Sequence, residues 1–194
     1  MYKSSNLRKY RDPIVRIPLS RFLEVLSGLV NSLNVNKILD LGCGEGFIVK
    51  YLISKNKDLS IEGIDINEQA IETARQLCPN AVFRKGDICN IDYPDKSFDL
   101  ILGIEVLEHL VNPEMVIRQA KRISRRHCIF SVPLEPYFRI CNLLRGKNIH
   151  RWGNPPEHLW NWSPRQFNAL LLNYFDKIKI KIVFPWVIAL CEKP

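Results

Sequence analysis

The hydrophobic positions of this chain switch between two spacings, and each switch predicts a new element. Continuous apolar runs bounded by polar residues are typical of strands covered on both faces, whereas apolar residues three and four positions apart indicate a helix with one buried face. The runs predict strands at 37–41, 60–65, 81–88, 97–104 and 127–132. The helical spacing predicts helices at 20–33 with Ser20 as N-cap, 47–54, 69–78, 113–124 and 163–174. This alternation predicts an α/β protein with a mostly parallel, doubly wound sheet.

The end of the chain has a different pattern. Residues 177–183 alternate between lysine and apolar side chains, and residues 186–191 form another apolar run directly after Pro185. Two strands joined by so short a connection pair antiparallel, because parallel pairing needs a long crossover. The sequence therefore predicts an antiparallel final strand pair beside the parallel strands.

A glycine-rich turn follows the first predicted strand. Asp40 is followed by Gly42, Gly44 and Gly46, which let the backbone turn sharply and approach a ligand before the helix that begins at Phe47. The dinucleotide fingerprint G-x-G-x-x-G would need glycine where this chain has Phe47. The spacing D-x-G-x-G-x-G therefore favours a nucleoside cofactor without a pyrophosphate, and it disfavours a nicotinamide-dependent oxidoreductase.

Three later strands end in acidic segments. The second strand ends at Asp65, the third runs into Gly-Asp-Ile at 86–88, and the fourth runs into Glu-Val-Leu-Glu-His at 105–109. With the glycine turn, this order resembles the class I methyltransferases that use S-adenosylmethionine. The resemblance implies that Asp65 accepts both ribose hydroxyls. The residues that it assigns to S-adenosylmethionine, and to S-adenosylhomocysteine after transfer, are Asp40, Gly42, Cys43, Gly44, Asp65, Ile66, Asp87, Ile88, Gly103 and Ile104.

The same resemblance implies the architecture. We expect a single methyltransferase domain over residues 1–194, with a Rossmann-like sheet, helices on both faces and a reversed final strand at one edge. A hydrophobic fraction of 46% is enough for one substantial core. The expected parts are a basic arm and helix at 1–34, a cofactor-binding core at 35–132, a substrate lid at 133–162, and a C-terminal helix and strand pair at 163–194.

The resemblance implies in-line transfer of a sulfonium methyl group to a nucleophile. This chemistry indicates the candidate catalytic residues. The protein then has to align the acceptor and, where needed, take a proton. A neutral imidazole titrates near working pH, so His158 is the first candidate base, with His109 and His150 behind it. Glu105 completes the candidate catalytic set, and its spacing from Glu108 and His109 predicts that all three share one helical face.

A metal site is a second interpretation of the same residues. Methyltransferases that modify the 3′ ends of small RNAs carry a similar Glu-x-x-Glu-His with a distant histidine, and there these residues bind a divalent cation. Glu105, Glu108, His109 and His158 would suit Mg²⁺ or Mn²⁺. A histidine before a Trp-Ser-Pro helix start also occurs in small-molecule members that are not known as a group to need metal. The sequence therefore favours a site without metal.

Charge and the segment after the fifth strand bear on the acceptor. A net charge of +8 favours an anionic partner. Segments 131–136 and 153–158 resemble methyltransferases of lipid, quinone or glycan metabolism. We therefore expect a small-molecule or lipid-linked acceptor. RNA is disfavoured as an acceptor because no separate RNA-binding domain is recognisable. The N-terminal arm carries Lys3, Arg8, Lys9, Tyr10, Arg11, Arg16 and Arg21. The apolar positions Tyr137, Phe138, Ile140, Leu143 and Leu144 predict a short amphipathic helix.

We expect that helix to pack over the crevice as a lid, and peripheral membrane contact is the other interpretation.

The six cysteines are scattered without a C-x-x-C pair, and they indicate reduced thiols of a cytoplasmic protein. No signal peptide is recognisable at the start. A catalytically inactive cofactor-binding or partner subunit stays open as a second function class, and the sequence leaves the oligomeric state open.

Overall fold

The computed structural model describes residues 13–193, with the side chains of 13–15 left aside, so most of the predicted basic arm, Lys3 to Arg11, lies outside the described residues. The strands are β1 (Lys37–Leu41), β2 (Ser60–Asp65), β3 (Val82–Lys85), β4 (Phe98–Ile104), β5 (Ser124–Pro133), β6 (Lys177–Val183) and β7 (Trp186–Glu192). The α-helices are α1 (Pro13–Asn31), α2 (Phe47–Lys55), α3 (Glu68–Leu77), α4 (Pro113–Ile123), α5 (Tyr137–Leu144) and α6 (Pro164–Leu172). Short 3₁₀ turns lie at Leu107–His109 and Ile149–Arg151.

The strands form one sheet in the order β3-β2-β1-β4-β5-β7-β6. Strands β1 to β5 pair in parallel, and β7 runs antiparallel to both β5 and β6. The predicted mostly parallel sheet with an antiparallel final strand is confirmed. The expectation that the reversed strand would form an edge is wrong, because β7 lies between β5 and β6. Burial explains this, since β7 is buried along nearly its whole length, whereas the lysines of β6 alternate towards solvent and protect an open edge.

Helices cover both faces of the sheet. Helices α1, α2 and α3 lie on one face, where Phe22 and Leu26 belong to the first apolar core. Helices α4 and α6 lie on the other face, where Ile117 and Phe167 belong to the second core. Because both faces are covered, the central strands consist almost wholly of buried residues, which is the pattern that the continuous apolar runs predicted.

Helix α1 begins at Pro13, well before the predicted start at Ser20. Ser20 is therefore inside the helix rather than its N-cap, and its hydroxyl donates to the carbonyl oxygen of Arg16 at 2.8 Å. Pro18 also lies inside the helix, where it lacks an N–H for the intrahelical ladder. Leu19, in the segment before the predicted start, packs against the first apolar core, and such a tertiary contact stabilises a helix beyond what local propensity predicts.

The arrangement of the sheet positions one edge for ligand binding. Parallel strands β1, β2 and β4 end at Leu41, Asp65 and Ile104, and their carboxyl ends therefore lie at the same edge of the sheet. In doubly wound sheets, ligands bind in the crevice outside this edge, at the point where the strand order reverses. Here the reversal falls between β1 and β4, directly beside the glycine turn.

Candidate active site

The glycine turn at 42–46 connects β1 to α2. Gly42, Gly44 and Gly46 all have left-handed backbone angles, with φ of 72°, 51° and 76°. At Gly42 a side chain is also excluded sterically, since a Cβ atom there would lie 2.6 Å from Cγ2 of Val106. The turn is tied to β2 because the Gly42 and Cys43 amides both donate to the carbonyl oxygen of Ile64. The backbone is therefore held close to the ends of β2 and β4, as a ligand cradle requires.

Asp65 lies at the corner between the glycine turn and α3. Its Oδ2 accepts from the Gly44 amide at 2.8 Å, and its Oδ1 accepts from the Asn67 amide at 2.9 Å. Asn67 in turn caps α3 through a bond from the Ala70 amide. Each carboxylate oxygen has a second lone pair, so Asp65 can still accept from two ligand hydroxyls. The structure thus fixes the orientation of this carboxylate before any cofactor binds.

Asp40 lies at the end of β1 and is completely buried. Desolvation by burial, with a smaller contribution from the neighbouring Asp65 carboxylate, raises the pKa of Asp40 to about 8. Within residues 13–193, the Asp40 Oδ2 atom has no hydrogen-bond partner. A buried acid in this state suits a cationic ligand group, because the cation would stabilise the carboxylate and use the remaining acceptor. The amino group of S-adenosylmethionine is such a cation, so the site fits the cofactor that the resemblance implied.

Three residues of the predicted cofactor set, Ile66, Asp87 and Ile88, lie just after the ends of β2 and β3. Ile66 is 70% exposed immediately after Asp65, so it offers an apolar surface without moving core residues. Ile88 is buried, and Asp87 is exposed with its Oδ1 accepting from the Cys89 amide at 2.8 Å. That bond is a turn-forming contact, and it leaves the second carboxylate oxygen of Asp87 to face a ligand.

Glu105 departs from the predicted helical face. Its backbone is left-handed, with φ of 54°, and the 3₁₀ turn begins only at Leu107. The Glu105 carboxylate accepts from the Ser131 hydroxyl at 3.0 Å and from the indole N–H of Trp186 at 2.8 Å. It therefore points to β5 and β7, and the prediction that it shares a face with Glu108 and His109 is wrong. A strained non-glycine backbone of this kind costs about 1–3 kcal/mol and persists only where surrounding bonds impose it.

Gly103 and Ile104, the last residues of β4, are buried. A Cβ atom at Gly103 would lie 2.8 Å from a ring carbon of Phe130, so packing against β5 already requires glycine there. The Cys43 thiol is buried as well, and burial raises the pKa of Cys43. Cys43 is therefore a neutral thiol, and only its backbone is available to a ligand.

Glu108, His109 and His158 form a cluster whose ligand-type atoms lie within 4.8 Å of one another. The two imidazole rings are 4.9 Å apart and nearly perpendicular. The His109 Nδ1 lies 3.0 Å from the carbonyl oxygen of Glu157, and a carbonyl can only accept, so Nδ1 carries the proton and Nε2 is the acceptor. The structure thus brings together three of the four residues that the sequence suggested as metal ligands, whereas Glu105 points to β5 and β7.

Backbone bonds hold this cluster together. The amides of Leu159 and Trp160 both donate to the carbonyl oxygen of Glu108, at 2.8 and 3.3 Å. His158 is 9% exposed, and the ring of Phe138 from α5 stacks on it at a centroid distance of 5.7 Å. The predicted helix over this segment is confirmed as α5, and its Phe138 covers the imidazole that we selected as the first candidate base. His150 lies apart from the cluster, exposed in the second 3₁₀ turn.

Sequence reasoning missed the contacts that hold Glu105 and His158 in place. Ser131 and Trp186 bind Glu105 from two other strands, and Phe138 stacks on His158. None of these contacts has a local pattern in the sequence. The only available signal was position, because Ser131 is near the carboxyl end of β5 and thus on the edge where ligands bind.

Comparisons with known proteins give the family. The family profile described as "Methyltransferase domain" matches residues 34–136. The chain is 33% identical over 112 residues to 27-O-demethylrifamycin SV methyltransferase of Amycolatopsis mediterranei, a match that covers 55% of this chain and 41% of that relative. It is 30% identical over 98 residues to demethylmenaquinone methyltransferase of Thermotoga maritima, covering 50% and 43%. The chain thus spans less than half the length of these curated relatives.

Solved structures share the fold at low sequence identity. The methyltransferase domain of bacterial-CtHen1-CN has a TM-score of 0.74 at 20% identity, covering 90% of this chain and 99% of that domain. Magnesium protoporphyrin IX methyltransferase from Synechocystis PCC 6803, solved with bound S-adenosylhomocysteine, has a TM-score of 0.73 at 14% identity, covering 98% and 95%. Together with the family match over the cofactor-binding half, the fold and glycine turn show that this chain belongs to the class I S-adenosylmethionine-dependent methyltransferases, with their Rossmann-like fold.

Proposed function

We propose that this chain transfers a methyl group from S-adenosylmethionine to an oxygen or carbon atom of a small-molecule or lipid-linked acceptor. The observation that carries the proposal is the arrangement at the carboxyl edge of the sheet, where Asp65 is bonded to the glycine turn beside the buried Asp40. Relatives named for a rifamycin and a menaquinone precursor support a small acceptor. When bound, the cofactor supplies an activated methyl on a sulfonium, so the protein's own task is positioning and proton removal.

Each group of residues has a distinct role in this proposal. Asp65 would hold the ribose, Asp40 the amino group, and the backbone of the glycine turn the methionine part. Ile66, Ile88 and Asp87 would surround the adenine, with Gly103 and Ile104 passing close to the methyl. Helix α5 would exclude water from the site, because its Phe138 already covers His158.

The acceptor's proton is assigned to the histidine cluster. His158 is buried between Phe138 and His109, which positions an imidazole that can take a proton without rotating into solvent. His109 is the second candidate, since its Nε2 is an acceptor. Glu105 is bonded to Ser131 and Trp186, and we assign it the positioning of the turn after β4 rather than direct proton transfer.

A direct experiment tests methyl transfer. Radiolabelled S-adenosylmethionine would be incubated with acceptors of three classes, namely phenols and quinols, aliphatic amines, and lipids with anionic head groups. Product methylation and S-adenosylhomocysteine release are measured together, and the Asp65→Ala variant is the control. Transfer to the phenols and quinols or to the lipids supports the proposal, whereas transfer to the amines alone would contradict the assignment of an oxygen or carbon acceptor. Tight cofactor binding with no transfer in any class would instead favour the alternative of an inactive cofactor-binding subunit.

The raised pKa of Asp40 predicts pH-dependent cofactor binding. Below pH 8 the free protein carries a protonated Asp40, and a cationic amino group favours the carboxylate, so binding has to release a proton. Affinity is therefore expected to increase as pH rises towards about 8, by up to about tenfold per pH unit, and then to level off. Calorimetry in buffers of different ionisation enthalpy measures both affinity and proton release. Asp40→Asn should bind weakly at all pH values, and an unchanged wild-type affinity between pH 6 and 8 would contradict the assignment.

Metal-dependent methylation of an RNA 3′ end is a second candidate, and the cluster of Glu108, His109 and His158 is the observation that favours it. One carboxylate and two imidazoles can bind a divalent transition metal with open positions for a substrate. One observation argues against this candidate. Glu105 is bonded to Ser131 and Trp186 instead of joining the cluster, so only three of the four metal ligands that the sequence suggested come together.

Chelation separates the two candidates. We expect turnover to be unchanged after dialysis against EDTA, because proton transfer by His158 needs no metal. Loss of turnover in EDTA, with recovery on addition of Mn²⁺, would contradict this expectation and support the metal-dependent candidate. Glu108→Gln provides the matched variant, since it removes the charge of one ligand without changing the size of the side chain.

A further inference from the structure

An exposed apolar face lies on the outer side of the lid segment, residues 137–152. Leu144 is 83% exposed, Trp152 75% and Ile149 61%, and Tyr137 and Ile140 are about half exposed. Five large apolar side chains that face water within sixteen positions of the chain indicate a contact surface rather than chance exposure. We call this set the lid face.

The charge of the lid segment has one sign. Residues 136–156 contain no aspartate or glutamate, and they contain Arg139, Arg145, Lys147 and Arg151. Lys147 and Arg151 are exposed beside the apolar residues. An apolar face within a segment that carries cations and no anion is complementary to a surface that combines hydrocarbon with negative charge.

The lid face continues onto a neighbouring groove. The ring of Tyr137 contacts that of Phe184, at a centroid distance of 6.3 Å. Phe184 lines an open groove between α1 and the edge strand β6 together with Ile17 and Ile182, which are 73% and 61% exposed. Arg21 and Lys181 line the same groove. The apolar and basic surface therefore extends from α5 across the end of β6 to α1.

We propose that this surface docks the protein on the interface of an anionic lipid bilayer. Tyrosine and tryptophan favour the head-group region, leucine and isoleucine insert below it, and lysine and arginine bind anionic head groups. The proposed contact is peripheral. The described part of the chain contains no helix able to cross a membrane. Docking goes beyond the proposed methyl transfer, and it can be tested without cofactor or acceptor.

Docking would connect the bilayer to the candidate site. Helix α5 carries the exposed Leu144 and Tyr137 on its outer side and Phe138, stacked on His158, on its inner side. An acceptor carried in the bilayer would therefore meet the lid before it meets the cofactor. This part of the inference rests on the proposed function, whereas binding to lipid does not.

Vesicle sedimentation tests the apolar part of the surface. The cofactor-free protein is mixed with vesicles of phosphatidylcholine containing about one third phosphatidylglycerol, and with pure phosphatidylcholine as reference. We expect binding to the anionic vesicles only, weakened at least about tenfold by Leu144→Asp combined with Trp152→Asp. The matched control, Val111→Asp with Leu172→Asp, makes the same charge change at exposed apolar residues outside this surface and should bind like the wild type. Equal loss in both pairs, or no binding by the wild type, would overturn the proposal.

A charge-reversal pair tests the basic part and remains informative if the first pair folds poorly. Lys147→Glu with Arg151→Glu should weaken binding by roughly thirtyfold or more, because each basic residue near an anionic surface contributes about a fivefold gain and the new carboxylates are repelled. Lys55→Glu with Lys57→Glu changes the net charge equally at exposed residues far from the lid and should have little effect. Binding that depends on Lys147 and Arg151 but not on Leu144 and Trp152, and that RNA competes away, would overturn the membrane assignment in favour of a nucleic acid.

Discussion

Replacing Asp65 with alanine is expected to weaken binding of S-adenosylmethionine and S-adenosylhomocysteine by at least about a hundredfold. The variant removes the carboxylate proposed to accept two ribose hydroxyls, and hydrogen bonds to a charged acceptor contribute about 1.5–3 kcal/mol each. It also removes the bond that Oδ2 accepts from the Gly44 amide, so the glycine turn loses one of its bonds to the end of β2. Calorimetry with both ligands measures the loss, and NADH serves as a ligand that should bind neither protein.

Asp92→Ala is the matched control for Asp65→Ala, because Asp92 is an exposed aspartate outside the predicted cofactor set. It should leave cofactor affinity unchanged. The thermal unfolding midpoint of Asp65→Ala without ligand should fall by only a few degrees, because the variant loses two bonds from backbone amides but no contact of either apolar core. An Asp65→Ala protein that is folded and binds the cofactor with wild-type affinity would remove Asp65 from the site.

Replacing His158 with alanine is expected to lower turnover by about 10²–10⁴-fold without weakening cofactor binding, as expected for loss of a general base. The reason is positional, because the ring of His158 contacts those of Phe138 and His109 and is not among the residues proposed to hold the cofactor. Turnover is measured on the best acceptor from the screen, and cofactor affinity is measured by calorimetry. The pH profile of kcat should lose its acidic limb in the variant, and added imidazole should restore part of the activity.

His127→Ala is the control for His158→Ala. His127 is a half-buried histidine near the start of β5, at the opposite end of the strand from the candidate site. Its replacement should leave kcat and its pH dependence unchanged. Equal losses of cofactor affinity and turnover in His158→Ala would show that the histidine supports the fold of the site instead of acting as a base.

Glu105, Glu108 and His109 show the limit of sequence patterns. The spacing between them predicted one helical face, but the chain leaves β4 through a left-handed residue at Glu105, and only a short 3₁₀ turn follows. Bonds from Ser131 and Trp186 stabilise that conformation. These partners lie on strands formed much later in the chain, so no local periodicity could have revealed them.

Helix α1 and strand β7 show the same limit at the level of the fold. The local signal at Ser20 predicted a later start, but the helix begins at Pro13, and Leu19 in the added segment packs against the first apolar core. The antiparallel pairing of the last two strands was correctly predicted from their alternation and the short connection. Their order in the sheet was not, because two hairpin strands can dock in either order, and the burial of β7 on both faces decides it.

The sequence by itself determined the alternation of strands and helices, the glycine turn, and the placement of Asp40 and Asp65 at strand ends. Each depends on short-range spacing and on the rule that parallel strands end at the same edge. Only the tertiary structure decided the pKa of Asp40, the direction of Glu105 and the union of Glu108 and His109 with His158. Burial and side-chain contacts sum over segments far apart in the chain, so these properties exist only once the sheet has brought those segments together.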